Sequence, residues 1–238
     1  MTTTLTESVA RRPYTVSSSS AGPVIRVVTM PDVTSIVFVV DDDVSVRESL
    51  ELLIGSAGWH PETFASAGAF LSRPRAGGPN CLILDVSLPD LDGLELQRRV
   101  ADDRRDLPII FITGHGDVPM TVRAMKAGAV DFLTKPFSGD ALLSAVAGAI
   151  EQSRAALGRE ADLREVRDRY ECLSRREREV MALVVSGLPN KRVGARLHIS
   201  EITVKAHRGS AMRKMNAGSL ADLVKMATAL SIPDPRRT

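Results

Sequence analysis

The sequence predicts an α/β fold, a doubly wound five-stranded parallel sheet, followed by a small all-α domain. Three observations predict it. Strand-like apolar runs and helix-like periods alternate five times over about 120 residues from Ser35. Beyond Leu173 the apolar period is purely helical. Charge divides at the same place: residues 34–153 hold ten Lys/Arg against seventeen Asp/Glu (net −7), and residues 172–238 hold thirteen against five (net +8), within a whole-chain charge of +2. An acidic half joined to a basic half suggests two jobs, the second with a polyanion.

Residues 1–33 are rich in Thr and Ser, with the run Ser17 to Ser20 and no strand or helix period, and are expected to be a disordered N-terminal extension. The pair Arg11-Arg12 resembles a transit peptide only faintly, and Met30 is a conceivable alternative translation start. No signal-peptide core is present, which argues against secretion, and no run of about 18 apolar residues is present, which excludes a membrane-spanning helix.

Ile36–Val40 is a continuous β-rich apolar run, as in a strand buried on both faces. Val46, Leu50, Leu53 and Ile54 follow at helical spacing to Gly58. A short strand is predicted at Glu62–Phe64, a helix at Ala67–Ser72, and a buried strand at Cys81–Leu84. Next come a helix from Gly93 to Asp102, a strand over Leu107–Thr113 and a helix over Pro119–Ala127. A fifth strand, Ala129–Leu133, and a helix over Gly139–Ile150 complete the sheet layer. Residues 154–171 are charged and predict a solvent-exposed linker helix. In the basic domain, residues 172–238, helices are predicted over 175–186, 190–197, 200–215 and 218–230.

In a parallel sheet, chemistry gathers beyond the carboxyl ends of the strands. Strand one ends in Asp41-Asp42-Asp43, strand three in Asp85 and strand four in Thr113, while strand five leads into Lys135-Pro136. Alone, each has a plain role as cap, turn former or surface charge. Together they place crowded carboxylates on one edge, where mutual repulsion calls for a hard cation such as Mg²⁺. A shielded carboxylate there can attack phosphorus and form an acyl phosphate. Lys135 would neutralise a phosphoryl oxygen and the Thr113 hydroxyl would bond another. Cys81 and Cys172 have no metal-ligand spacing, which fits a reducing intracellular compartment without zinc or disulfides.

The runs Val40-Asp41-Asp42-Asp43, Leu84-Asp85-Val86-Ser87-Leu88-Pro89-Asp90-Leu91-Asp92-Gly93, Thr113-Gly114-His115 and Lys135-Pro136-Phe137 resemble a response-regulator receiver domain of flavodoxin-like fold, covering residues 34–153. Gly114 to Met120 resembles the FixJ type, with His115 read as a surface residue. The resemblance implies that Asp85 accepts a phosphoryl group from a sensor histidine kinase. It also implies that Asp42 and Asp85 hold Mg²⁺, assisted by Asp41 and the Ser87 carbonyl. Thr113 and Lys135 would contact the phosphoryl group, and Phe132 would be the aromatic that turns when Thr113 moves. Asp43 stands where relatives often carry Glu.

Leu173 to Val180, Gly187 to Lys191 and Ile199 to His207 resemble a LuxR-type helix-turn-helix, within residues 172–238. Ser200 would cap its recognition helix. Val204, Ala211 and Met215 would pack inward, leaving Thr203, Lys205, Ala206, Arg208 and Gly209 toward a DNA major groove, with Lys191 at a phosphate or guanine. His207 is read as packing near the turn, and Glu177 as a structural partner of a basic group. Gly209 is costly within a helix.

The resemblance implies a phosphorylation-dependent transcriptional regulator and no enzyme. It would dimerise when phosphorylated, bind double-stranded DNA, activate transcription with RNA polymerase as a partner, and reside in the cytoplasm. A phosphatase working through an aspartyl phosphate is the enzyme rival; such enzymes usually carry a second Asp where this chain has Ser87. A constitutive DNA binder is the other.

Overall fold

A computed structural model describes residues 35–101, 104, 106–114 and 118–233. The expected N-terminal extension, Met30 and His115 lie outside the described residues.

The β-branched run Ile36–Val40 forms β1, and His60–Phe64, Asn80–Asp85, Ile109–Thr113 and Asp131–Thr134 form β2 to β5. All pairs are parallel, in the order β2-β1-β3-β4-β5. Strand side chains alternate between faces, so β1 sends Phe38 and Val40 to one core and Val37 and Val39 to the other. Helices α2 (Ala67–Leu71), α3 (Gly93–Ala101) and α4 (Val118–Lys126) cover the first face through Phe70, Leu96 and Ala124. Helices α1 (Val44–Ser56) and α5 (Gly139–Glu171) cover the second through Leu50, Ile54, Leu142 and Val146. The doubly wound sheet is therefore as predicted.

Some boundaries differ from expectation. β4 begins at Ile109 because Leu107 closes a turn onto the Arg104 carbonyl. β5 begins at Asp131 because Ala129 still donates back to Ala124, completing the end of α4 around Gly128, whose φ is 93°. The predicted sheet helix and linker helix are one element, the 33-residue α5, about 50 Å long at 1.5 Å per residue. Ion pairs Glu160–Arg164 and Glu165–Arg169 line its polar stretch. Apolar anchors sit at its two ends: Leu142 to Ile150 on the sheet, Val166 and Tyr170 against the helical domain.

The helical domain comprises α6 (Arg175–Val185), α7 (Asn190–Leu197), α8 (Glu201–Met215) and α9 (Leu220–Ala229). Ser174 and Glu177 form a capping box on α6. Met181, Ala211, Met215 and Leu223 make one core, and Val180, Val184, Val193 and Val204 another. Val204, Ala211 and Met215 face inward as predicted.

Candidate functional site

The sheet register assembles the acidic edge. Val40 pairs with Leu84, so Asp41 and Asp85 follow side by side at the carboxyl ends of adjacent strands. Thr113 pairs with Thr134, and the Lys135 amide donates to the Thr113 carbonyl at 2.7 Å. The Lys135–Pro136 bond is cis. From there the Lys135 ammonium reaches Asp41 Oδ2 and Asp85 Oδ2, at 2.7 Å each.

Each carboxylate has a distinct setting. Asp41 is fully buried and accepts the Asp43 amide through Oδ1. Burial pushes its carboxyl above the ordinary value, against the Lys135 ammonium and the Asp43 amide, which pull it down. Burial alone would lower Lys135; its hydrogen bonds to the two carboxylates prevail and hold it above its ordinary value. Asp85 is nearly buried and accepts the Ser87 amide at 3.0 Å. Asp42 is exposed, and Asp43 caps α1 by accepting from Ser45 at 2.8 Å. Thr113 is buried at the end of β4, and Phe132 is half-buried with its ring centroid 6.2 Å from that of Phe111.

Asp41, Asp42 and Asp85 each offer an oxygen within 4.8 Å of the others. Opposite ligands of an octahedral ion with bonds of about 2.1 Å stand about 4.2 Å apart, so this all-oxygen set fits Mg²⁺ after a small closure.

Two residues at this edge escaped the sequence reading. Arg47 turns back from α1 and donates to the Asp41 and Asp42 carbonyls at 2.7 and 2.9 Å, which holds the acidic turn in place. Its signal was only a cation on the first turn of α1. Gly93 packs so tightly that a Cβ would stand 2.5 Å from the Asp85 carbonyl oxygen. Asp90, in the same loop, accepts the Ala67 and Gly68 amides at the start of α2.

The helical domain brings most of its named residues to one side of α8. Lys205 and Ala206 are exposed, while Thr203, Arg208, Gly209 and His207 are half-buried. Ser200 caps α8 by accepting the Thr203 amide, and the two hydroxyls lie 2.8 Å apart. The Thr203 hydroxyl thus serves the cap as well. Lys205 pairs with Glu201 at 3.3 Å, and Arg208 reaches Asn190 on α7 at 3.5 Å. Lys191 is exposed on α7.

The α7–α8 turn depends on Gly194, where a Cβ would stand 2.7 Å from the Ile199 carbonyl oxygen, and on His198 in a left-handed conformation with φ 54°. Glu177, buried on α6, accepts from Lys214 at 2.7 Å, from Ser210 at 2.6 Å and from the Ser174 amide at 2.7 Å. Lys214 and Ser210 hold its carboxyl down to about 2. The expected basic partner of Glu177 is therefore Lys214, on α8. Ile202, 80% exposed on the first turn of that helix, was not anticipated as a site residue. It lies out of phase with the inward positions Val204, Ala211 and Met215.

Two known domain families match the chain: "Response regulator receiver domain" over residues 37–147 and "Bacterial regulatory proteins, luxR family" over residues 171–227. Nodulation protein W of Bradyrhizobium diazoefficiens is 50% identical over 83% of this chain and 87% of its own length. The transcriptional regulatory protein FixJ of Rhizobium meliloti is 45% identical over 81% of this chain and 95% of its own. Among solved structures, the response regulator StyR is 44% identical, covers 82% of this chain and 98% of its own, and superposes with a TM-score of 0.71.

Proposed function

The chain belongs to the two-component response regulators that join a receiver to a LuxR-type DNA-binding domain, and on that premise we propose that Asp85 is the phosphoacceptor whose modification controls DNA binding. A transcription regulator of this family implies a phosphodonor kinase and DNA as partners. The observation that carries the proposal is the Lys135 ammonium bridging Asp41 and Asp85 at the strand ends. An Asp85 oxygen attacks the phosphorus of a kinase phosphohistidine; the O–P bond forms as the N–P bond breaks, and the imidazole leaves. Asp41, Asp42 and Asp85, with the Ser87 carbonyl, would hold Mg²⁺, which supplies charge neutralisation for the incoming phosphoryl oxygens. Lys135 then exchanges its Asp85 contact for a phosphoryl oxygen, and the Thr113 hydroxyl donates to another.

Phosphorylation replaces the single carboxylate charge of Asp85 with a phosphoryl group of about 1.5–2 negative charges and three acceptor oxygens, a net gain of about one charge. Movement of Thr113 toward them leaves space that the half-buried Phe132 ring occupies, which couples the site to the surface of α4 and β5. That surface carries Val118, Val122 and Met125, spaced along α4 and exposed by 77%, 44% and 44%. Such an apolar stripe suits a homodimer interface in the phosphorylated state. The dimer presents two α8 helices to paired DNA half-sites, with Lys191, Thr203, Lys205, Ala206, Arg208 and Gly209 on the DNA side. Transcriptional activation, contact with RNA polymerase and a cytoplasmic location belong to the same proposal. Among the described residues, no helix is long and apolar enough to cross a membrane.

The test is the intact mass of the protein after incubation with a small phosphodonor, with and without Mg²⁺. A single Mg²⁺-dependent phosphoryl adduct, absent from Asp85→Asn, is expected, together with tighter DNA binding by the modified protein. An adduct that persists in Asp85→Asn would overturn the assignment. DNA affinity indifferent to modification would instead favour a constitutive DNA binder.

A further inference from the structure

We propose that Ile202 is a specificity-determining residue that reads the C5-methyl group of a thymine in the major groove. The inference rests on the DNA-binding reading of α8 above and deepens it.

The side chain is large, purely apolar and 80% exposed. The buried face of α8 is supplied by Val204, Ala211 and Met215, so Ile202 adds nothing to the core. Its direction is telling. At about 100° per residue, Lys205 lies about 60° to one side of Ile202, Ala206 about 40° to the other, and Gly209 about 20° away. Ile202 therefore stands at the centre of the arc that the DNA-facing residues define. It also lies on the first turn of α8, and recognition helices present their N-terminal residues to base edges.

Chemistry narrows what it can touch. Isoleucine offers no donor, acceptor or charge, so neither a phosphate nor a polar base edge is its partner. The apolar group on a major-groove base edge is the thymine methyl. Next to it, Ala206 contributes one methyl and Gly209 no side chain, which lets the helix approach the bases closely. The first turn is also held firmly: the Thr203 amide and hydroxyl both meet the Ser200 hydroxyl, and Gly194 locks the turn against Ile199. Ile202 thus projects from a fixed platform.

The experiment uses the full chain. A duplex is selected from a random DNA pool, and each thymine is then replaced in turn by deoxyuridine, which deletes only the methyl group. One thymine per half-site should weaken the wild-type protein about fourfold when replaced, the loss expected for one buried methyl group. Ile202→Ala, which removes an exposed side chain and leaves the phosphate contacts, should show no loss at that position. Ile202→Val should keep part of it. A scan that is flat, or the same in wild type and Ile202→Ala, overturns the inference while leaving DNA binding intact. Failure to select any duplex, with or without phosphorylation, overturns the DNA-binding reading itself and the inference with it.

Discussion

Glu177→Gln should destabilise the helical domain by an amount that depends on pH in a defined way. The Glu177 carboxylate joins α6 to α8 through Lys214 and Ser210, and it closes the capping box at Ser174. Its carboxyl is held at about 2, against an ordinary value of 4.5. A depressed carboxyl contributes stability that is complete above the unfolded value and is lost as pH falls through the folded one. The difference corresponds to about 3 kcal/mol at pH 7 and about 1 kcal/mol at pH 3. Glutamine keeps the size of the side chain but not its charge, so the wild-type advantage over Glu177→Gln should follow that profile. It should be level from pH 7 to about 5, then shrink through pH 4.5 and below. Calorimetric melting of the full chain reads it out, with the transition of the helical domain lowered on the order of 10 °C at neutral pH. Because α8 loses an anchor, DNA affinity should fall in parallel. An unchanged transition at pH 7, or a difference that stays constant down to pH 3, would refute the reasoning.

Gly93→Ala places a methyl 2.5 Å from the Asp85 carbonyl oxygen; it should cost about 1–3 kcal/mol in receiver stability and slow phosphorylation, measured by melting and by adduct formation. Gly194→Ala makes the same clash with the Ile199 carbonyl, at 2.7 Å, and should weaken DNA binding while phosphorylation of Asp85 remains normal. The two cysteines should separate under a thiol reagent. Cys172 is exposed and should label in the native protein, whereas burial pushes the Cys81 thiol up to about 12 and should protect it until unfolding. Two equivalents of rapid labelling would contradict the buried β3.

The acidic edge is legible in the order of the residues because parallel strands deliver all their carboxyl ends to one side of a sheet. Once Ile36–Val40, Cys81–Leu84 and the run ending at Thr113 are strands, Asp41, Asp85 and Thr113 must converge. The inward and outward faces of α8 are legible for a similar reason, since Val204, Ala211 and Met215 repeat at helical spacing. Arg47, Gly93 and Gly194 are not legible as site residues. Their roles consist of distances to backbone oxygens, and no local pattern encodes a distance to another part of the chain. The continuity of α5 from Gly139 to Glu171 is not legible for a related reason. The fall in hydrophobicity after Ile150 marks where the apolar contacts of α5 with the sheet end, not where the helix ends.

Residue order alone thus determines the two architectures, the charged edge and the outward face of α8, because each follows from periods of two or 3.6 residues and from strand direction. Packing decides the rest. It brings the Lys135 ammonium to 2.7 Å from two carboxylates, gives Glu177 to Lys214 across 37 positions of chain, and leaves Ile202 exposed on the first turn of α8. These are contacts, or their absence, between segments distant in the chain, and they exist only once the cores beneath them have closed.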